Sequence, residues 1–349
     1  MGRPLSRASD LSQSRRLIRS AALADALVTL RDPGVRDLAW LLLAPRLLSE
    51  HAFGSLLVPA PDDVASVLTA LQVLDADPAP LRLELAPLTT RRVGHYAERL
   101  VHYALGHLSP YTLIASNLPL RVGKQTIGEF DFLLEDRAGA RLHWELAVKC
   151  YLRVDVPGID DPLASFVGPA LGDRLDIKLA RLLEHQLPLS GRTAYASLLP
   201  AGPWQAQMWV SGWLFDRFDH WRAKRAIDTD PRLADDIWTG FWTSAGEWPA
   251  VAAAIGADGW TRLPRLRWIA PLGEPDHSFC NPSLMTERIA QTFFATTVDE
   301  SGDEALRPRD DPFAIAAWKQ GADGRWSECA RGFIVADDWE QRARIFAAS

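Results

Sequence analysis

Two short runs in the middle of the chain set charged side chains among apolar ones. They are Gly128-Glu129-Phe130-Asp131-Phe132-Leu133-Leu134 and His143-Trp144-Glu145-Leu146-Ala147-Val148-Lys149. Strand alternation puts Glu145, Ala147 and Lys149 on one face of the second run and Trp144, Leu146 and Val148 on the other. In the first run Glu129, Asp131 and Leu133 share a face, opposite Phe130, Phe132 and Leu134. If the runs pair through the turn at 136–140, Asp131 comes within a cross-strand step of Glu145 or Ala147. Two carboxylates and an ammonium then share one sheet surface. Half-buried carboxylates are costly unless paired or metal-bound. Oxygen-only ligands suit a hard divalent cation, Mg²⁺ or Mn²⁺, which needs one or two carboxylates and keeps several waters. A nearby Lys orients or helps deprotonate an attacking water and offsets charge on a scissile phosphate. The competing reading of the same residues is structural, with Glu145 and Lys149 each salt-bridged to other neighbours.

Two further groups carry charge at helical spacing. His95, Glu98 and His102 share one helix face, where they would line a site, form a metal pair, or act as surface or supporting histidines. Arg174, Lys178 and Arg181 would face a phosphate backbone, or belong to a solvated helix self-paired with Asp173, Asp176 and Glu184. No Ser/His/Asp elbow, P-loop or Rossmann glycine pattern is present.

The elements that position these residues follow from periodicity and punctuation. Ala/Leu-rich helical stretches run from Leu17 to about Leu85, broken at Asp32-Pro33-Gly34, Pro59-Ala60-Pro61 and Pro78-Ala79-Pro80. The apolar stretch Leu38 to Leu48 reads as a buried helix, too short to span a bilayer. A helix is expected from about Thr89 to His107. Strands follow at Thr112–Val122, Ile127–Glu135 and Arg141–Arg153, joined by hairpin-length turns into an antiparallel meander. After a loop to Gly172, which includes Phe166-Val167-Gly168-Pro169, a helix is expected from Asp173 to Leu187. Two β-like runs, Thr193–Leu199 and Gln205–Asp216, complete the region. Beyond Phe218 the pattern suggests helices near Trp221–Ile227 and Pro231–Trp242 and strands near Arg262–Pro271 and Gly332–Ala336. Nine of the 14 Trp lie between Trp204 and Trp268. Such crowding is core or inter-domain packing, with a base-stacking platform as the alternative.

The order helix, three strands, helix, strand, with an Asp on the second strand and a Glu plus Lys on the third, resembles the PD-(D/E)XK nuclease superfamily over Thr89 to Asp216. The longer runs DPGVRDLAWLLLAPRLL, GEFDFLL, HWELAVK and FVGPALGDRLDIKLARLLEHQLPLS resemble an uncharacterised bacterial family within it, domain of unknown function 1853, from about Asp32 onward. The resemblance implies a metal-binding role for Asp131, a catalytic role for Lys149 and an accessory metal ligand at Glu98. At the position two before Lys149, where the superfamily carries an acidic residue, this chain has Ala147. Its carboxylate sits two residues earlier, at Glu145, displaced by about 6.6 Å along the strand.

The 349 residues are 48% hydrophobic and 23% charged, a globular composition. Cys150, Cys280 and Cys329 form no CxxC pair, which speaks against a disulfide framework or Cys-rich zinc site and for a reducing, cytoplasmic location. The Arg-bearing N-terminus lacks the apolar run of a secretory signal and reads as a frayed helix or tail rather than a transit peptide. A net charge of −6 requires any polyanion partner to meet a local basic patch. The expectation is therefore a mixed α+β protein in three parts. Residues 1–86 form a helical extension, 87–217 a PD-(D/E)XK-like core, and 218–349 a Trp-rich α+β region packed on that core. The expected function is Mg²⁺-dependent hydrolysis of nucleic-acid phosphodiesters, with Asp131 and Glu145 holding the metal, Glu98 assisting and Lys149 positioning water. The alternative is an inactive nuclease-like module that binds nucleic acid or a protein partner, and no membrane association is expected.

Overall fold

The structure is a computed structural model that describes residues 6–90, 92–200, 202–225, 230–294, 296–298, 304–306 and 312–349. Five helices open it: α1 (Ser6–Thr29), α2 (Pro33–Leu43), α3 (Glu50–Phe53), α4 (Val64–Ala76) and α5 (Ala79–Leu85). Helix α2 starts where Asp32 accepts the amides of Gly34 and Val35 at 2.9 and 3.1 Å and Pro33 occupies the first turn. Leu38, Ala39, Trp40, Leu41 and Leu43 are fully buried, but the helix expected to run on to Leu48 stops at Leu43, where the chain turns extended at Ala44 ahead of Pro45. Helix α6 (Val93–His107) buries Tyr96, Ala97, Leu100, Val101 and Ala104 and leaves His95, Glu98 and His102 on its more open side.

The meander forms as the alternation and turns dictate: β1 (Thr112–Val122), β2 (Gln125–Glu135) and β3 (Arg141–Arg153), each antiparallel to the next. A short β4 (Phe166–Val167) pairs with the end of β3. Helix α7 (Leu175–Arg181) does not continue as α-helix to Leu187. It passes into a π turn over Leu182–Gln186 and a 3₁₀ segment over Leu187–Gly191. Strand β5 (Trp204–Arg217) then lies parallel to β3, with Glu145 opposite Met208, Ala147 opposite Val210 and Lys149 opposite Gly212. Gly212, at φ 153°, is required there, because a Cβ would sit 1.7 Å from the Lys149 carbonyl oxygen.

The sheet does not end at β5. Helix α8 (Phe218–Arg222) leads to β6 (Thr239–Ser244), which pairs with β5; α9 (Trp248–Ile255) leads to β7 (Gly259–Leu263). After α10 (Pro282–Phe293) and the two-stranded β8 (Thr296–Val298) and β9 (Glu304–Leu306) come β10 (Phe313–Gln320), β11 (Trp326–Val335) and α11 (Trp339–Ala347). The nine-stranded mixed sheet runs β1-β2-β3-β5-β6-β11-β10-β7, with β4 alongside β3. One apolar cluster joins α2, α6, the Trp144 face of β3, and β6, β10 and β11. A second, on the other face, contains Ala147, Tyr151, Leu175, Leu179 and Val210.

Three sequence expectations are corrected. Thr193–Leu198 is 3₁₀ helix rather than strand, because the β3 edge is already taken by β5 and this segment only covers the sheet. Pro231–Trp242 is not a helix. Its second half is β6, whose Phe241 and Trp242 bury both faces of the strand between β5 and β11, a continuous apolar run that periodicity alone does not distinguish from helix. The strand near Arg262–Pro271 ends at Leu263, where Pro264 supplies no ladder amide. The helix expected over Trp221–Ile227 corresponds to α8, which ends at Arg222, and Ile227 lies outside the described residues. The strand expected near Gly332–Ala336 is the end of β11. The Trp crowding is packing: Trp209, Trp213, Trp242, Trp248, Trp260 and Trp268 are buried. Trp213 stacks on Trp40 of α2, with ring centroids 6.2 Å apart and planes 2° off parallel.

Candidate active site

The candidate site lies where β2 and β3 part. Their ladder runs to Phe132 opposite Trp144 and goes no further, which leaves Asp131 across from Glu145. In place of a backbone carbonyl, Asp131 Oδ2 accepts the Leu146 amide at 2.8 Å. Burial and the neighbouring Glu145 carboxyl push the Asp131 carboxyl well above the ordinary range, and Glu98 adds to the effect. Burial likewise raises Glu145. The pair therefore titrates as a unit that resists carrying two negative charges without a cation.

Glu145 is fully buried and held at both oxygens. Oε1 is 2.8 Å from His143 Nε2, and Oε2 accepts from Gln186 Nε2. His143 is on the same face two residues earlier, also fully buried, with Nδ1 3.0 Å from Ser190 Oγ. Burial lowers its pKa to about 4, so the ring is neutral. When Glu145 is ionised, that ring donates from Nε2 and accepts the Ser190 hydroxyl at Nδ1. Gln186 sits on the π turn and in turn accepts from Lys178 Nζ at 3.0 Å. An unbroken array thus runs Ser190, His143, Glu145, Gln186, Lys178.

The cation facing the carboxyl pair is Lys178 of α7. Burial lowers its pKa, Lys149 lowers it further, and both Glu145 and Asp131 raise it. Lys149 lies on the expected face but is committed elsewhere: Nζ is 2.5 Å from Asp173 Oδ2, which also accepts the Tyr151 hydroxyl at 3.4 Å. Ala147 is buried in the apolar cluster beneath α7. Glu98 of α6 accepts from Asn117 Nδ2 at 3.3 Å, and burial raises its pKa, with Glu129 adding to the rise. It also lines a cleft of about 380 Å³ together with His95, His102, Asn117 and Glu129, a cleft that neither Asp131 nor Glu145 lines. His102 is fixed by Ser116 Oγ, 2.9 Å from Nδ1. Arg174, read from sequence as a phosphate contact or a self-paired residue, is the latter. It chelates Asp176 at 3.0 and 2.8 Å and also donates to the carbonyls of Phe346 and Ala347 at the end of α11.

Asp131 and Glu145 are thus brought together. Glu98 stands beside them as a neighbouring charge, and Lys149 is tied to Asp173. Among the described residues, no three His, Cys, Asp or Glu side chains gather as a metal-holding group. Two carboxylates are nevertheless what a hydrated Mg²⁺ needs from a protein. Each oxygen of Glu145 retains a lone pair beyond its one hydrogen bond, so the donor set fits a hard cation. Sequence reasoning missed His143 and Gln186. Strand alternation places His143 on the Glu145 face; nothing local in the sequence announces the π turn that presents Gln186.

Among the described residues no helix is long and apolar enough to cross a membrane. No curated protein and no solved structure matches the chain. The family model for the domain of unknown function DUF1853 matches residues 36–335, and the chain belongs to that family.

Proposed function

We propose that the protein hydrolyses nucleic-acid phosphodiester bonds with Mg²⁺ or Mn²⁺ bound at Asp131 and Glu145. The observation that carries this reading is the charge imbalance at the parting of β2 and β3. Asp131, Glu145 and Glu98 are each raised by burial, and the Lys178 ammonium is the positive charge that acts on all three. Carboxyl groups held this far above their ordinary pKa call for a cation, and perturbed groups of this kind cluster at functional sites. The order helix, antiparallel meander, helix and parallel strand supports the PD-(D/E)XK-like reading. A divalent cation bound there would supply Lewis-acid activation of a phosphoryl oxygen. The chain's own residues do the rest. His143 and Gln186 fix the Glu145 carboxyl from both sides, and the neutral imidazole leaves its charge available to the cation. Lys178 reaches the same place from α7 and offsets charge developing on the phosphate.

A second reading rests on Ala147 and Lys149. The first is buried in the apolar cluster and the second is held by Asp173, the pattern of a nuclease-like module that binds nucleic acid or a protein partner without cutting. Cleavage of single- and double-stranded DNA and RNA with Mg²⁺ or Mn²⁺ separates the two. Wild type is expected to cut, Lys178→Ala to lose a factor of about 10² to 10⁴, and Lys149→Ala to lose less. The reverse order returns the catalytic ammonium to Lys149. Salt-sensitive binding with no cleavage by wild type establishes the binding module.

A further inference from the structure

A second concavity, of about 900 Å³, lies between α1, the segment from Leu48 to Ala65 and the chain near Asp236; its charged lining is Arg15, Arg16, Arg19 and Arg46 together with Glu50, Asp62, Asp63 and Asp236. Two of these arginines are out of the ordinary. Arg19 and Arg46 are each only 8% exposed, and the Nε of each is buried without a hydrogen-bond partner among the described residues. Among the described residues neither is in an ion pair. Arg46 lies over the Trp209 ring, 4.1 Å from its centroid, and donates from Nη1 to the Leu41 carbonyl at 2.8 Å and to Ser211 Oγ at 3.4 Å. The nearby acids are engaged or exposed. Glu50 takes Arg16 and Asp62 takes Arg15, each at 3.2 Å, while Asp63 caps α4 through the Ser66 amide. Asp236 is exposed.

Buried guanidinium groups are costly unless paired. Burial lowers the pKa of both; Arg19 lowers that of Arg46 further, to about 9, while Glu50 acts against the fall in both and Asp236 against it in Arg19. The two positive charges thus work against each other in a site open to solvent. Guanidinium forks match phosphate oxygens in geometry as well as charge. Leu57, Val58, Pro59 and Pro61 supply an apolar wall on one side, and the volume is that of a small-molecule site.

We propose that this groove is a phosphate-binding site, in which one phosphate group lies against Arg19 and Arg46 and the remainder of the ligand rests on the Leu57–Pro61 wall. The inference is independent of the nuclease reading, because none of these residues belongs to the Asp131 and Glu145 cluster. The phosphate belongs either to a free ion or mononucleotide or to a nucleic-acid backbone, and the same assay tells these apart.

The test is thermal unfolding and calorimetric titration at constant ionic strength with inorganic phosphate, a nucleoside 5′-monophosphate, a short single-stranded oligonucleotide, and acetate. Wild type is expected to gain roughly 2–4 °C at saturation with phosphate or the monophosphate. A gain with the oligonucleotide alone assigns the phosphate to a polymer. Arg19→Gln, which breaks no hydrogen bond or ion pair among the described residues, should bind at least about tenfold more weakly. Arg46→Lys, which keeps the charge and loses the fork, should weaken binding similarly and serves if Arg19→Gln does not fold. The gain should persist in Lys178→Ala, whose ammonium lies in the other site. No gain in wild type, an equal gain in Arg19→Gln, or an equal gain with acetate overturns the proposal.

Discussion

Replacing Asp131 by Asn should stabilise the protein in alkaline solution without divalent cations, although it removes a residue at the centre of the candidate site. Asp131 Oδ2 accepts the Leu146 amide at 2.8 Å, and Asn retains an acceptor for it. Only the charge is lost. Burial first, then Glu145, push the Asp131 carboxyl from 3.8 up to about 8. For an acid raised in this way, folded and unfolded chains are both protonated below about pH 4 and no penalty exists. Between about pH 4 and about pH 8 the unfolded chain has released its proton and the folded one has not, so stability falls as pH rises; above that the penalty is constant. At about 1.4 kcal/mol per pH unit the rise bounds the penalty near 6 kcal/mol. Shared titration with Glu145 and relaxation of a half-buried group reduce this to about 1–3 kcal/mol, or roughly 2–6 °C in Tm. Calorimetric melting in chelator at about pH 5.5 and about pH 8.5 checks it, since less than about half of the gain should be present at the lower pH. An equal gain at both, or a loss at the higher pH, refutes the electrostatic account of the site.

Mg²⁺ or Mn²⁺ at roughly a hundred times its Kd should stabilise wild type by about 2.7 kcal/mol. Asp131→Asn should abolish that shift, and an equal shift in both proteins would place the cation elsewhere. Gly212→Ala should cost more than about 4 kcal/mol or prevent folding, because its Cβ would meet the Lys149 carbonyl at 1.7 Å. A variant melting within about 2 °C of wild type would contradict the parallel pairing of β3 and β5.

The meander was legible because everything that makes it is local. Thr112–Val122 and Arg141–Arg153 are the observed β1 and β3 without adjustment, and β2 starts two residues before the expected Ile127. Alternation placed Trp144 and Glu145 on opposite faces, and the structure has them there. The region beyond Phe218 was not legible in the same way. Its strands are added to a sheet already formed by the preceding residues, so β6 and β10 are buried on both faces and lose the period-two signal.

The sequence by itself determined which groups bear charge, that Asp131 would come across a turn within a cross-strand step of Glu145 or Ala147, and that Ala147 would stand between Glu145 and Lys149; the register of β2 on β3 chose Glu145. Tertiary structure decided what those charges do. Lys149 goes to Asp173 and Lys178 turns toward the carboxyl pair because Asp173, 24 residues after Lys149, and the α7 helix that follows it pack over that face of the sheet. Arg46 meets Trp209 and nears Arg19 only when α1, α2 and β5 are assembled. Protonation and ion pairing depend on distance and burial, which fall to residues far apart in the chain, whereas strand alternation depends only on neighbours.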